Sequence, residues 1–397
     1  MTDDTKDKRI LYVTRALTAP PHAGCMIRAL NTCRQLKKYG QVTMLAASQA
    51  FHQDSVLLCQ KEFEQFHQVH LKPYCEYPFS LGNFFLKWHM HWPRSRGIQA
   101  SQSDQAFFME LVKKHDIVWF HTLGASEPFD INQLSNSVMD LDDLNQFKYK
   151  QLAQVQPTLR LRLSAKIRAY KWNKLERSVF KQYKRIVVCS EEDKAYLNGG
   201  DETCIIPNGY IQPDTPPEWT EPDPLRIGFI GLLSYGPNRD GLIWFRDAVW
   251  PIIRQQKPEM RLRIIGSLPP EKYYVKADGF EYLGYVEDTT EEMQSWSAIV
   301  VPIPYGGGTR IKILDAFSKK CPVIATPVGA YGIQGTHREH LLVTESPDEF
   351  AKCCLDLSNL PEQGKSLAEA GWKLFQEKYS WDVIGKSIRD IVSKVVG

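Results

Sequence analysis

Short apolar runs alternate with longer helical patterns in the first half of the chain. The runs that predict strands span 9–14, 41–47, 116–121, 138–141 and 185–189. Helical patterns at 26–39 and 100–114 fall between the earlier runs. This alternation predicts a parallel sheet that is covered by helices on both faces.

A proline-rich segment then interrupts the pattern. Its six prolines lie at 207, 213, 216, 217, 222 and 224. A segment of this composition without periodicity predicts a linker between domains.

A second alternating series follows the linker. Its predicted strands span 225–230, 261–265, 280–283, 298–302, 322–325 and 341–343, and its predicted helices span 240–256, 347–357, 362–378 and 381–395. Because 397 residues exceed the usual size of one hydrophobic core, the sequence predicts two nucleotide-binding-like α/β domains. Ligands bind beyond the carboxyl ends of the strands in such sheets, so we expect the active site in the cleft between the domains.

The stretch 305–316 carries the most informative chemistry. It follows the apolar run 298–302 and contains three consecutive glycines, which let the backbone approach a ligand closely. Free N–H groups in the next helical turn favour negative charge, and Arg310 and Lys312 add two cations there. Asp315, about one turn further, can accept hydrogen bonds from a vicinal diol such as a ribose. The pattern therefore indicates a site for a nucleotide diphosphate.

The amino-acid composition indicates a globular protein from a reducing compartment. With 43% hydrophobic and 24% charged residues, the sequence is typical of a globular protein. Its nine cysteines show no zinc-ligand spacing and no CxxC pair, which favours buried thiols in a reducing compartment. The polar N-terminus lacks the apolar segment of a signal peptide, and no run approaches the length of a spanning helix. We therefore expect a cytoplasmic protein.

Positive charge is concentrated in the segment 148–185. It has twelve Lys or Arg residues against the single acidic residue Glu176. Leucine and aromatic residues are interspersed, so parts of the segment could form a basic amphipathic helix on an anionic membrane surface. A solvated helix of the first domain explains the pattern equally well.

A second candidate interface is the stretch 84–96, which combines aromatic and basic residues. Together with the basic segment 148–185 it could hold the protein peripherally at the inner membrane face. Nucleic-acid binding is not expected, because no recognised module accompanies the charge.

The second half of the chain also carries a set of short motifs. They read Gly-Phe-Ile-Gly at 228–231, Pro-Asn at 237–238, Val-Pro at 301–302, Gly-Thr-Arg at 308–310, Lys-Ile-Leu-Asp-Ala at 312–316, and Pro-Val-Ile-Ala-Thr at 322–326, followed by Gly329. Weaker matches lie at 189–190, 206–209 and 380–381. Together these motifs resemble the family 4 glycosyltransferases of the GT-B fold, retaining enzymes that move a sugar from a nucleotide diphosphate.

The resemblance implies an α/β architecture of two Rossmann-like parallel-sheet domains that face a cleft. Residues 1–207 would form the acceptor-side domain, 208–224 the linker and 225–378 the nucleotide-sugar-binding domain. Residues 379–397 would form a helix that returns to the first domain.

The paired acidic hallmark of the family is altered here. Asp315 occupies the second acidic position, which in the family holds the ribose hydroxyls. The first position, where family members carry a glutamate against the donor sugar, falls on Gly307. Backbone N–H groups of the glycine loop are expected to replace that contact.

The resemblance also implies roles in the second domain. Arg310 and Lys312 would neutralise the diphosphate and stabilise the leaving nucleotide, which makes them predicted catalytic residues. The predicted donor contacts are Gly231, Asn238, Gly307, Gly308, Thr309 and Asp315. The alternatives are a solvated pair of cations on an ordinary helix and, for Gly231 and Asn238, a plain strand-to-helix turn.

In the first domain, the resemblance places His121 against the donor sugar as a third catalytic residue. Gly24 and Arg28 match the family loop that approaches the acceptor or the donor phosphate, although a loop glycine often marks only a turn.

Three carboxylates, Asp140, Asp142 and Asp143, cluster at a strand end of the first domain. We interpret them as acceptor contacts or helix caps, because metal sites usually show a fuller set of oxygen ligands. We expect no metal and no cofactor, with a nucleotide-diphosphate sugar as co-substrate. A retaining transfer on one face of the sugar needs no enzymatic nucleophile.

The predicted function is a glycosyltransferase of the hexosyltransferase type. It would pass a sugar from a nucleotide-diphosphate donor to a glycan or lipid-linked acceptor in surface polysaccharide or glycolipid synthesis. Two alternatives remain open at this point. One is a catalytically degenerate GT-B protein that binds nucleotide sugars or serves as a scaffold, and the other is a nucleotide-sugar epimerase.

Overall fold

The apolar runs form two parallel sheets, one in each of two units. The computed structural model describes residues 8–15, 24–73, 98–267 and 270–396. The first unit comprises Met1–Pro207 with Ile384–Gly397, and the second comprises Asn208–Val383. The predicted interface at 84–96 lies outside the described residues.

The first sheet is built from strands that the apolar runs largely predict. Its strands are β1 (Lys8–Thr14), β2 (Gly40–Ser48), β3 (Gln65–His70), β6 (Ile117–His121), β7 (Leu134–Asp140), β8 (Tyr183–Val188) and β9 (Thr203–Ile205). They pair in parallel in the order β3-β2-β1-β6-β7-β8-β9. A separate antiparallel pair joins β4 (Lys72–Pro73) to β5 (Ile98–Gln99). Every residue of β6 is buried, as expected of a strand that helices cover on both faces.

Helices of the first unit follow these strands. They are α1 (Gly24–Leu36), α2 (Gln53–Glu62), α3 (Gln102–Lys114), α4 (Leu123–Ser126), α5 (Asn145–Val155), α6 (Leu159–Ser178) and α7 (Glu191–Leu197). Ser101, Thr158 and Ser190 cap α3, α6 and α7, because their hydroxyl oxygens accept hydrogen bonds from N–H groups of the first turn. The basic segment 148–185 therefore contains most of α5 and all of α6.

The second sheet is also parallel. Its strands are β10 (Arg226–Ile230), β11 (Arg261–Ile265), β12 (Phe280–Gly284), β13 (Ile299–Val301), β14 (Val323–Ala325) and β15 (Leu342–Val343), in the order β12-β11-β10-β13-β14-β15. A Cβ atom on Gly228 of β10 would lie 1.8 Å from the ring of Trp296. Only glycine therefore lets this indole pack on the strand.

The remaining helices are α8 (Gly236–Trp244), α9 (Trp250–Gln256), α10 (Thr290–Gln294), α11 (Ile311–Ser318), α12 (Pro347–Asn359), α13 (Pro361–Lys378) and α14 (Trp381–Val396). The sequence predicts one helix at 240–256, whereas the structure has α8 and α9 joined by a π-helical turn at Phe245–Val249. Pro251 explains this difference, because it lacks an N–H donor and its ring crowds the preceding turn. The residues of α14 from Ile384 onward belong to the first unit, where Tyr39 Oη donates to the Gly385 carbonyl at 3.0 Å.

The strands that the sequence analysis missed lie at sheet edges. β3 has the sequence Gln-Phe-His-Gln-Val-His, and only one of its residues is buried. Because an edge strand carries few apolar residues, its hydrophobic pattern does not distinguish it from a loop. Among the described residues, no helix combines the length and apolar content that crossing a membrane requires.

Candidate functional site

The glycine loop of the second unit joins β13 to α11, as the sequence predicts. Gly306 has φ 145° and Gly308 has φ 72°, conformations that favour glycine. A Cβ atom on Gly306 would lie 2.7 Å from Nη2 of Arg310, so the loop backbone packs directly on this guanidinium. Arg310 Nη1 donates to the Gly307 carbonyl at 2.7 Å. The loop therefore holds its arginine at the N-terminus of α11.

Lys312, in the first turn of α11, reaches the segment that follows β10, where Asn238 lies in the first turn of α8. Its Nζ donates to Asn238 Oδ1 at 2.9 Å and lies 4.7 Å from the centre of the Phe229 ring. Asn238 Nδ2 donates to the Leu232 carbonyl at 3.0 Å, which fixes the amide. A Cβ on Gly231 would lie 2.6 Å from that amide and 3.0 Å from Lys312 Nζ. The structure thus brings Gly231, Asn238 and Lys312 together.

The charge state of Lys312 depends on this environment. Burial, with a further contribution from the positive charge of Arg310, lowers the pKa of Lys312 to about 7. A nearby anion would oppose both effects and raise the pKa again. An anionic group beside Arg310 and Lys312 would therefore interact with them more favourably than with two solvent-exposed cations.

Thr309 lies between the glycine loop and α11. Its side chain is buried, and its Oγ1 has no hydrogen-bond partner among the described residues. Leaving a buried hydroxyl unsatisfied costs about 1–3 kcal/mol. A ligand oxygen at the start of the helix would remove that penalty, which fits the predicted donor contact.

Asp315 is oriented by other side chains of the second unit. Its Oδ1 lies 2.8 Å from Lys319 Nζ, one helical turn further on. Burial, followed by the charge and hydrogen bond of Asp315, raises the pKa of the Tyr210 hydroxyl. Lys319 also donates to the Thr289 hydroxyl and lies 5.9 Å from the Tyr210 ring. The carboxylate is therefore held in place by a cation and a phenol, and its ribose contact stays a prediction.

A cavity of about 600 Å³ in the second unit borders Tyr210 and Lys319, the two partners of Asp315. Tyr210, Lys319 and Asp288 line it together with residues of the proline-rich segment. Its volume falls in the range of sites for small ligands, which is about 300–1,000 Å³.

In the first unit, Arg28 and Asp140 form a buried ion pair. Arg28 Nε donates to Asp140 Oδ2 at 3.0 Å, and Nη2 donates to Oδ1 at 2.9 Å. Nη1 donates to the Ile206 carbonyl at 2.9 Å, and neither charged side chain has exposed surface. The pair ties α1 to β7, so the structure gives both residues a structural partner. Their predicted ligand contacts, and that of Gly24 at the start of α1, stay predictions.

His121 ends β6 and is fully buried. Its Nδ1 lies 3.3 Å from Thr14 Oγ1, and its ring stacks with Tyr12 at a centroid distance of 6.4 Å. Burial lowers the pKa of His121, which keeps the imidazole neutral near pH 7. Nε2 lies 4.0 Å from Asp142 Oδ2 and has no hydrogen-bond partner among the described residues. The predicted contact with a sugar stays a prediction.

Asp142, Asp143 and Cys189 each place one potential ligand atom within 4.8 Å of the others. Burial raises the pKa of the Cys189 thiol well above its usual range, whereas metals bind the thiolate. Cys189 Sγ donates to Asp142 Oδ1 at 3.5 Å, and the same carboxylate lies 3.8 Å from Arg28 Nε. These partners favour a hydrogen-bonding role for Asp142, and the expected absence of a metal stays a prediction.

Two residues near the donor-side site were not predicted. Lys319 follows Asp315 by four positions, a helical spacing that would have indicated an ion pair. Tyr210 lies before the second sheet, and nothing in its local sequence indicates that it meets Asp315.

Part of the second half of the chain resembles a known protein family. Residues 224–359 match the sequence profile of the family described as Glycosyl transferases group 1. An uncharacterized 44.6 kDa protein in the cps region of Klebsiella pneumoniae is 26% identical over 170 residues. That alignment covers 40% of this chain and 44% of the relative.

Solved structures resemble the whole chain in fold. Sucrose-phosphate synthase from Thermosynechococcus elongatus has a TM-score of 0.67 at 14% identity, with 98% of this chain and 99% of that chain covered. HepE from Anabaena, in complex with UDP-glucose, has a TM-score of 0.60 at 14% identity, with 98% and 100% covered. These likenesses confirm the predicted GT-B fold.

Proposed function

We propose that this glycosyltransferase, whose residues 224–359 match the profile of Glycosyl transferases group 1, takes its sugar from a uridine diphosphate donor. The observation that carries the proposal is the arrangement of the glycine loop, Arg310 and Lys312 at the start of α11. Lys312 Nζ lies 2.9 Å from Asn238 Oδ1, which places the first turn of α8 beside the same cation. The choice of uridine rests on the HepE complex with UDP-glucose.

The diphosphate would accept hydrogen bonds from the N–H groups at the start of α11 and from the Thr309 hydroxyl. When the bond between the anomeric carbon and the diphosphate oxygen breaks, negative charge accumulates on that oxygen. Arg310 and Lys312 stabilise this charge more strongly in the transition state than in the bound donor. Asp315, oriented by Lys319 and Tyr210, would accept hydrogen bonds from the ribose hydroxyls.

The transfer would retain the configuration of the sugar. The acceptor oxygen forms the new bond to the anomeric carbon on the face that the diphosphate leaves, and its proton passes to the departing phosphate. This route needs no enzymatic nucleophile. The acceptor would be a glycan or a lipid-linked sugar in surface polysaccharide or glycolipid synthesis, which the relative in the cps region supports.

A ligand screen tests the donor assignment. Thermal unfolding is measured with UDP-, GDP- and ADP-linked sugars for the wild type, for Lys312→Ala and for the control Lys352→Ala, an exposed lysine on α12. A ligand at 100 times its dissociation constant adds about 2.7 kcal/mol of stability, so a bound UDP-sugar should raise the melting temperature of wild type and control. Lys312→Ala should lose most of this shift. If no nucleotide sugar stabilises the wild type, the donor assignment is wrong.

One observation favours a second function, a nucleotide-sugar-binding protein without turnover. Gly307 stands where the resemblance expects a glutamate against the sugar, so that side-chain contact is absent. UDP release from a bound UDP-sugar in the presence of membrane lipid extract distinguishes the two functions. Binding without release would support the second function.

A further inference from the structure

Helix α6 of the first unit presents an apolar stripe to solvent. The side chains of Leu159, Leu163, Ile167 and Tyr170 are 83%, 57%, 47% and 70% exposed. A fifth apolar residue of α6, Leu161, is 46% exposed but projects from the other side of the helix. Larger exposed apolar patches mark interaction surfaces. We call these four residues the α6 stripe.

The stripe has a definite direction on the helix. At about 100° per residue, its four members fall within an arc of about 80°. The buried residues of α6, Ala165 and Glu176, project from the opposite side of the helix. The α6 stripe therefore points away from the core of the first unit.

Basic residues surround the stripe. Helix α6 carries seven Lys or Arg residues, and its one acidic residue is the buried Glu176. Arg160 lies on one flank of the stripe and Arg162 and Lys166 on the other, and all three are exposed. Long basic side chains can keep their charge in water while their methylene stems cover apolar surface.

We propose that the α6 stripe docks on an anionic lipid surface. Apolar side chains would enter the boundary between headgroups and acyl chains, and the flanking cations would contact the anionic headgroups. A second copy of this chain fits less well, because two basic bands would face each other. A nucleic acid would pair with the cations and leave the leucines in water.

The proposal is independent of the donor site, because α6 belongs to the first unit and the glycine loop to the second. A chain that fails to bind a nucleotide sugar can still bind lipid, and the reverse also holds. The readout is therefore lipid binding and not sugar transfer.

Co-sedimentation with vesicles tests the proposal. The vesicles contain phosphatidylcholine alone or phosphatidylcholine with phosphatidylglycerol. The full chain should sediment with the anionic vesicles, weakly at high salt, and not with the neutral ones. Arg160→Gln with Lys166→Gln should weaken binding by about 25-fold, since each basic residue near such a surface contributes about fivefold. Leu159→Ser, Leu163→Ser and Ile167→Ser together should abolish it.

A matched control uses helix α2, where Leu57 is 47% exposed and Lys61 lies one turn further on. Leu57→Ser with Lys61→Gln should leave vesicle binding unchanged, and circular dichroism checks that each variant folds. Equal binding to neutral vesicles, no binding to anionic vesicles, or an equal loss in the control would overturn the proposal. Light scattering provides a further check. A dimer that the serine variant abolishes would make the stripe a protein interface and would also overturn it.

Discussion

Two arginines occupy comparable positions in the two units, near the ends of parallel strands, but their surroundings differ. Arg28 of the first unit is fully buried and makes a bidentate ion pair with Asp140. Arg310 of the second unit packs on a glycine loop and has Lys312 as its charged neighbour. Arg28, buried with a carboxylate, joins α1 to β7, and removing one partner would leave the other charge buried and unpaired. Arg310, beside a second cation and at the start of a helix, adds to the positive charge of that helix end.

The largest effect is expected from breaking the buried pair. Arg28→Met leaves Asp140 buried without its cation, and such a change costs about 3–5 kcal/mol of unfolding free energy. Urea unfolding followed by circular dichroism measures this loss. The double variant Arg28→Met with Asp140→Asn should recover much of the stability, because it removes both charges. A single variant within about 1 kcal/mol of wild type would contradict a buried, unpaired Asp140 carboxylate in that variant.

Arg310→Ala should affect turnover and leave the fold nearly intact. Removing one group that stabilises transition-state charge lowers the catalytic rate by about 100- to 1,000-fold. The rate of UDP release is measured for Arg310→Ala with the donor that the ligand screen identifies. The unfolding free energy of the same variant is measured in parallel. An unfolding loss as large as that of Arg28→Met, or unchanged turnover, would remove the distinction between the two arginines.

Lys312 makes donor binding dependent on pH. Its pKa is lowered to about 7 in the free protein, and a bound diphosphate should raise it. At a pH between the pKa of Lys312 in the free protein and its pKa in the complex, Lys312 must take up a proton when UDP binds. The affinity for UDP therefore falls as pH rises. The expected decrease approaches tenfold per pH unit above pH 7. Calorimetry with UDP from pH 7 to 9 measures this slope, which Lys312→Gln should flatten.

The smallest effect compares two neighbouring glycines of the loop. Gly308 has φ 72°, whereas Gly307 is not among the glycines with positive φ. Gly308→Ala should therefore lose about 1–2 kcal/mol from backbone strain. Gly307→Ala should lose less. Parallel unfolding curves measure the difference, and equal losses would contradict the loop geometry.

Much of the fold is predictable because buried parallel strands are continuous apolar runs, as in β6 and β13. The edge strand β3 is not predicted in this way, because it has few buried apolar residues. The π-helical turn before Pro251 is not predicted either, because it depends on how the helix accommodates a proline. The glycine loop and its cations are predictable because they are contiguous in sequence. The partnership of Asp315 with Tyr210, and that of Arg28 with Asp140, join segments far apart in the chain. No local pattern reveals which side chain meets which.

The most direct test of the donor site is a crystal structure of the chain with UDP bound. The account predicts that the diphosphate oxygens lie about 3 Å from Thr309 and from the N–H groups at the start of α11, with Arg310 and Lys312 within ion-pair distance. It also predicts that the ribose hydroxyls meet Asp315. A diphosphate bound away from the loop 306–312 would contradict the central claim.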